Sequence, residues 1–417
     1  MKAEIIAVGS ELLTPHRLDT NSLFLTEQLN RLGIELVRKV VVGDDRKQLG
    51  DAFREALGRV DLVISIGGLG PTEDDLTRET VAELLGRKLN RDETVLRSIQ
   101  ERFRRLGWQM PEVNVRQAMV PEGATVLKNV QGTAPGLWLE TNGHIVILLP
   151  GPPQELKPMF VEQVEQRLAE RAGGARLFTR DLRVAGMPES EVEQRIAPIY
   201  TRYPEAQTTL LASPGEIQIH LRSWSSDAGA AERLLNEMVE RIVMALGENL
   251  FSTQGESLEQ VVARRLNLHH ATIAVAESCT GGLVAERLTR IPGSSSYFLG
   301  GVVCYSNEIK SAWVDAPAAL IEAKGAVSPE VTCALADGIR RRSGATLGLG
   351  ITGITGPAGG KPAKPVGTVY VALADSATIE HRDFRFAGDR DRIRFQASQA
   401  ALDLVRRYFL YRSQGRG

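Results

Sequence analysis

The strongest constraint on the fold is a rhythm of short apolar runs, each closed by glycine and separated by amphipathic helical stretches. Residues 3–8 end at Gly9, residues 34–42 at Gly43, and residues 61–66 at Gly67-Gly68. Between them, residues 21–32 place Leu25, Leu29 and Leu32 on one helical face, and residues 46–57 do the same with Leu49, Phe53 and Leu57. A further helix is predicted over residues 75–85. This strand–helix alternation predicts a parallel, doubly wound α/β sheet covered on both faces. Ligands in such sheets bind beyond the carboxyl ends of the strands. Here those ends are Gly9-Ser10-Glu11, Gly43-Asp44-Asp45 and the loop 67–77.

One more strand, 145–149, runs into Pro150-Gly151-Pro152-Pro153, a rigid stop. The helix 154–171 then leads to Gly173-Gly174. Residues 175–250 read as a small α/β unit with a hairpin about Ser213-Pro214-Gly215, and 251–255 as a linker. The remainder alternates again: helix 258–268, strand 272–276, a loop opening a helix to Arg290, strand 302–305, and a short helix holding Lys310. Ser328-Pro329 then caps a helix, strand 345–351 follows, and two more strands precede a closing helix from Asp389. Three α/β domains are expected, over 1–172, 173–252 and 253–417.

Composition excludes several classes. With 43% apolar and 24% charged residues at a formal charge of −1, the chain is neither disordered nor fibrous. Its longest aliphatic run, 145–149, is far short of the ~18 residues of a membrane span. The opening Met1-Lys2-Ala3-Glu4-Ile5-Ile6-Ala7-Val8-Gly9 lacks the apolar stretch of about 7–15 residues that a secretory leader needs. Three cysteines without Cys-x-x-Cys spacing point to a reducing cytoplasm rather than a disulfide framework or a thiolate zinc site. Residues 253–417 carry a net +5 and residues 1–252 a net −6. That excess suits a phosphorylated small molecule and is thin for nucleic acid. The runs Arg102-Phe103-Arg104-Arg105 and Arg340-Arg341-Arg342 read as solvated helix faces.

The loop Gly67-Gly68-Leu69-Gly70-Pro71-Thr72-Glu73-Asp74-Asp75 has the makings of a phosphate site, because glycine lets backbone N–H groups approach an anion. Carboxylates beside a phosphate make sense with a divalent cation between them. Thr72, Asp74 and Asp75 could equally cap the next helix, as Asp19-Thr20-Asn21 could cap the first. In the last third, Ala276-Glu277-Ser278-Cys279-Thr280-Gly281-Gly282 joins a strand to a helix, which sets Ser278 where following N–H groups can form an oxyanion hole. Serine needs a base. Lys310, after the next strand, would reach the same sheet edge and could act once desolvation lowers its pKa. The alternative makes Ser278 a helix cap and Lys310 a surface residue. Cys279 is a rival nucleophile. The glycine-rich stretch 350–360 suits a phosphate or ribose cradle, residues 361–365 a mobile flap, and the arginines after Gly388 a phosphate clamp.

These motifs, in their order, resemble the CinA (competence/damage-inducible) family. The first 170 residues are similar to molybdopterin-binding-type domains, through Gly9-Ser10-Glu11, Asp19-Thr20-Asn21, the 67–77 loop and Pro150–Pro153. The resemblance implies a divalent-metal-dependent ADP-ribose pyrophosphatase. Asp19 and Asp75 would serve the metal, and Glu11, Asn21, Asp44, Gly68, Gly70, Thr72 and Asp74 the nucleotide. Residues 256–412 resemble the CinA carboxy-terminal domain, which implies hydrolysis of nicotinamide mononucleotide (NMN) to nicotinate mononucleotide and ammonia, without a cofactor. Carried over by position, Ser278 is the nucleophile, Lys310 the base and Tyr305 a supporting donor. Thr280, Gly281, Gly282, Ser294, Ser295, Thr355, Gly356, Arg390 and Arg394 would contact substrate. A homodimer is expected. The second reading is an interaction factor in competence or DNA repair, with a domain that only binds a pterin or nucleotide.

Overall fold

The computed structural model describes residues 1–413. The chain forms two compact units, Met1–Phe178 with Ser223–Glu232, and Thr179–Arg222 with the chain from Arg233 onward. In the first, six strands run in the spatial order Glu35–Val42, Lys2–Val8, Leu62–Ile66, His144–Leu149, Gly136–Thr141 and Thr125–Leu127. The first four are parallel, and the last two add an antiparallel edge. Alternate side chains of each central strand enter opposite cores. Ile6 and Val63 pack with Leu49 and Phe53, whereas Ile5 and Ile64 pack with Leu25, Leu29 and Phe160. That is the expected doubly wound sheet, buried on both faces.

Its antiparallel edge and the helix Glu93–Arg105, N-capped by Asp92, come from an excursion that the alternation did not announce. The four parallel strands end together at Val8, Val42, Ile66 and Leu149. At that rim Gly67 has φ +97°, and a Cβ there would lie 2.5 Å from the carbonyl oxygen of Val8, so the turn admits no side chain.

The second unit holds a four-stranded sheet built around the hairpin Gln207–Ser213 and Glu216–Ser225. It also holds a five-stranded sheet in the order Phe298–Val303, Ile273–Glu277, Leu347–Gly353, Thr368–Ala374 and Ile379–Arg385. The first three of these are parallel and the rest antiparallel. Helices Leu258–Leu268 and Arg390–Ser413 cover one face through Val262, Leu402 and Val405, and Pro329–Ser343 covers the other through Val331 and Leu335. A Cβ on Gly350 would stand 2.5 Å from the carbonyl oxygen of Thr332. This glycine therefore lets a helix lie against the strand backbone and cradles no ligand.

Candidate active site

Parallel pairing brings the carboxyl ends of Ile273–Glu277 and Phe298–Val303 to one edge, with Glu277 level with Val303. Ser278 leaves the first strand, its N–H held by the carbonyl of Ile351 at 3.0 Å. After the second strand the chain turns into the helix Asn307–Val314, N-capped by Ser306, and Lys310 points back beneath the edge. Its Nζ lies 3.3 Å from Ser278 Oγ and donates to the carbonyls of Cys304 (2.9 Å) and Tyr305 (3.2 Å). Lys310 is only 1% exposed, so it is no surface residue. Among the described residues no carboxylate forms an ion pair with it, and burial pulls its pKa below the ordinary lysine value. A neutral amine has two N–H groups. With both on carbonyls, its lone pair faces the serine hydroxyl.

Ser278 is not a cap either. The helix Leu283–Thr289 is N-capped by Gly282, in the left-handed region at φ 92°. Its N–H groups are taken by Glu277, whose buried carboxylate accepts from Gly282 (3.0 Å), Val284 (3.1 Å) and Ala285 (2.8 Å). The N–H groups of Cys279, Thr280 and Gly281 donate to no group among the described residues. They remain for an oxyanion beside Ser278. Sequence reasoning missed Glu277. Its one signal is position, an acid closing a buried strand immediately before the nucleophile.

Two arginines fix the loop from the far side. Arg394 donates to the carbonyl of Thr280 (2.9 and 3.3 Å), and Arg390 donates to Thr355 Oγ1 (2.9 Å), the Gly356 carbonyl (2.8 Å) and the Tyr305 hydroxyl (3.1 Å). The Tyr305 phenol therefore meets Arg390, and it is the tyrosine's backbone carbonyl that reaches Lys310. Thr280 is fully buried and its Oγ1 has no partner among the described residues. Cys279 is poorly suited as nucleophile, since burial pushes its thiol up to about 12 and disfavours the thiolate.

Two expectations are corrected. Ser294 and Ser295 lie in the turn Ser294–Ser296, which feeds the amino end of strand Phe298–Val303. A loop entering a parallel strand sits at the edge opposite the one it leaves by, so these serines do not join Ser278. The stretch 361–365 is no free flap. It is a turn closed by paired Lys361–Lys364 backbone bonds and tied down by Lys364 Nζ on the Val327 carbonyl at 2.7 Å.

The other sheet edge forms a cleft of about 360 Å³ lined by Glu11, Asp44, Gly68, Gly70, Asp74 and Asp75, and by Gln117 and Glu155, which the motifs did not mark. Asp44 Oδ2 accepts from the Ser10 N–H at 2.8 Å and ties two strand ends together. Asp75 does not cap the following helix. Its Oδ2 accepts from the N–H (2.9 Å) and hydroxyl of Thr72, closing the loop on itself. The nearby Thr72 hydroxyl and the Asp74 backbone N–H hold the Asp74 carboxyl below the usual range. Arg116 clamps the loop through the carbonyls of Thr72 (2.7 Å) and Asp75 (3.2 Å).

Asp19 is set apart. It lines a neighbouring recess with Asn21, and its carboxylate N-caps the helix Thr20–Arg31 by accepting from the Ser22 N–H at 2.9 Å. Asn21 donates to the Gly151 carbonyl at 2.7 Å. Asp19 and Asp75 thus line two adjoining recesses that share Val8, Glu11, Gly151 and Pro152. Among the described residues no three His, Cys, Asp or Glu gather into a cation site. The all-oxygen donors around the cleft still suit a hard divalent cation of the kind that draws most of its ligands from water and phosphate.

Fold and site together define an α/β protein that joins a molybdopterin-binding-type domain to a domain with a buried Ser–Lys pair. Family profiles agree: a probable molybdopterin binding domain matches residues 4–170, a damage-inducible protein CinA KH domain 179–252, and the CinA C-terminal domain 255–409. A CinA-like protein of Koribacter versatilis is 48% identical over 98% of this chain and 99% of its own length. One of Solibacter usitatus is 49% identical over 99% and 100%. A putative competence-damage inducible protein of Acetivibrio thermocellus is 43% identical over 98% and 99%. The chain belongs to the CinA family. Its KH-type segment contains no Gly-x-x-Gly, the loop by which KH modules clamp a nucleic-acid backbone. No helix among the described residues is long and apolar enough to cross a membrane.

Proposed function

We propose that the carboxy-terminal domain hydrolyses the amide of NMN to nicotinate mononucleotide and ammonia. The observation that carries this reading is the 3.3 Å approach of the buried Lys310 amine to Ser278 Oγ. Lys310 accepts the serine proton as Oγ attacks the amide carbon. The oxyanion that forms faces the unengaged N–H groups of Cys279, Thr280 and Gly281. Lys310 then returns the proton to the leaving nitrogen, ammonia departs, and water cleaves the acyl-serine by the same route. The buried, unpartnered Thr280 hydroxyl supports a substrate contact there. Arg390, Arg394, Thr355 and Gly356 form the rim toward which the nucleotide's phosphate would lie.

The amino-terminal cleft, on the same reading, hydrolyses ADP-ribose. Among the described residues its lining holds acids but no Lys or Arg, so a bound diphosphate needs a cation to offset its charge. A divalent metal held by Asp75 with Glu11 or Asp44 would supply that charge neutralisation. Both activities belong to pyridine-nucleotide salvage in the cytoplasm, a reducing compartment suited to three free thiols. The names of the relatives favour a second reading, a role in competence or damage response. Purified full-length protein with NMN, with and without chelator, tests the first: metal-independent ammonia release that Ser278→Ala abolishes is expected. Normal ammonia release by that variant ends the assignment. A transformation assay with the same variant separates the readings, since full rescue favours the interaction factor.

A further inference from the structure

A cavity of about 870 Å³ in the second unit is lined by neither Ser278 nor Lys310. It lies between the edge strand Ile379–Arg385, the helix Arg390–Ser413 and the tip of the hairpin Gln207–Ser213 and Glu216–Ser225. Three features of its wall point to one kind of ligand. The rings of Phe384 and Phe386 stack 5.3 Å apart with an interplanar angle of 10°, a platform that a flat heterocycle can extend. The Oε1 of Gln396 is buried and accepts no hydrogen bond among the described residues, an acceptor awaiting a donor. Arg385 and Arg392 pair their guanidinium groups with no acceptor among the described residues.

Three of the four acids in the wall do not offset those cations, because they are already engaged; the fourth, Glu189, has no ion pair among the described residues and leaves the two arginines in excess. Glu216 is paired with Arg183 and accepts from Gln399, Asp403 is paired with Arg406 and Arg407, and Glu248 with Arg407. The cavity thus offers a stacking surface, an acceptor and two free cations.

We propose that it is a nucleotide site separate from the two described above. The base, of the amino-substituted adenine type, lies against Phe384 and Phe386 and donates to Gln396 Oε1, and the phosphate rests on Arg385 and Arg392. The site shares an element with the Ser–Lys centre. Arg390 and Arg394 stand four residues apart on one face of the long helix and hold the Ser278 loop. Arg392 and Gln396 have the same spacing on the face turned toward the cavity. Occupancy of the cavity therefore acts on the helix that fixes the rim of the amide-cleaving site.

Photolabelling of the full-length protein with azido-AMP, followed by peptide mapping, tests the proposal. Label is expected on peptides spanning Phe384 to Gln396, competed by AMP but not by equal inorganic phosphate. The double variant Arg385→Ala/Arg392→Ala should lower it about tenfold, as loss of two charge-assisted contacts implies. Label confined to residues 1–178, equal labelling of the double variant, or equal competition by phosphate would each overturn it. So would protection of these peptides by self-association alone, without nucleotide.

Discussion

A lysine amine can serve as a base only while uncharged, and the surroundings of Lys310 favour that form. Burial disfavours the ammonium and outweighs the opposing pull of nearby groups, Glu308 among them, while two backbone carbonyls accept its N–H groups and so orient the amine. Lys310→Met keeps the apolar stem and removes the base. Ammonia release from NMN should fall about a thousandfold or more, with the urea unfolding midpoint held or raised. A midpoint that falls as far as the activity would make Lys310 structural. The pH dependence has a definite sign. Activity should rise with pH as Lys310 loses its proton, with a midpoint below the ~10.4 of an ordinary lysine. Between the lowered folded value and ~10.4 the unfolded chain binds more protons, so this residue's contribution to stability also rises with pH across that window. Stability curves of wild type and Lys310→Met that stay parallel through the window would contradict this account.

At the scale of the element, the strand–loop–helix unit around Ser278 owes its shape to Glu277. Three backbone N–H groups at the start of Leu283–Thr289 converge on one buried carboxylate, which frees Ser278 from capping and leaves the next three N–H groups open. Glu277→Ala should cost about 2–3 kcal/mol of stability, since charge-assisted bonds are lost and their donors are left buried. It should lower kcat about 10–100-fold through the oxyanion loop. Glu277→Gln, which retains an acceptor, should recover part of both. An unchanged kcat in Glu277→Ala would show that the loop holds its shape without the carboxylate. This dependence also explains what the sequence could reveal. Glycine-closed apolar runs made the strands, helices and loop ends legible, because period and turn chemistry are local. Glu277 was not legible, because a buried capping acid looks in sequence like any surface glutamate. Ser294 and Ser295 were misplaced because a motif's order along the chain does not say to which edge of a parallel sheet its loop belongs. Asp19 was ambiguous for a different reason: capping and metal binding use the same carboxylate, and only the structure shows that it caps the helix through Ser22.

At the scale of the whole molecule, the same architecture occurs twice with opposite electrostatics. Each sheet gathers its chemistry beyond the carboxyl ends of parallel strands, one around carboxylates and the other around an amine and arginines. The charge of the chain divides accordingly, −6 before residue 253 and +5 after it. On the proposed reading an acidic cleft that takes a diphosphate depends on an added cation, whereas a lysine base is hindered by one, since a nearby dication would favour the neutral amine but compete for its lone pair. The two activities should therefore separate cleanly under two perturbations. Chelation should abolish ADP-ribose cleavage and leave ammonia release unchanged, and Ser278→Ala should do the reverse. Asp75→Asn should reproduce the effect of the chelator by removing one charge from the cleft while the Thr72 contacts that close the loop keep an acceptor. Full ADP-ribose cleavage by Asp75→Asn in the presence of metal would move the cation to Glu11 or Asp44. Loss of ammonia release on chelation would mean that the amide-cleaving site also uses a metal, and that Lys310 is not by itself sufficient to activate the serine.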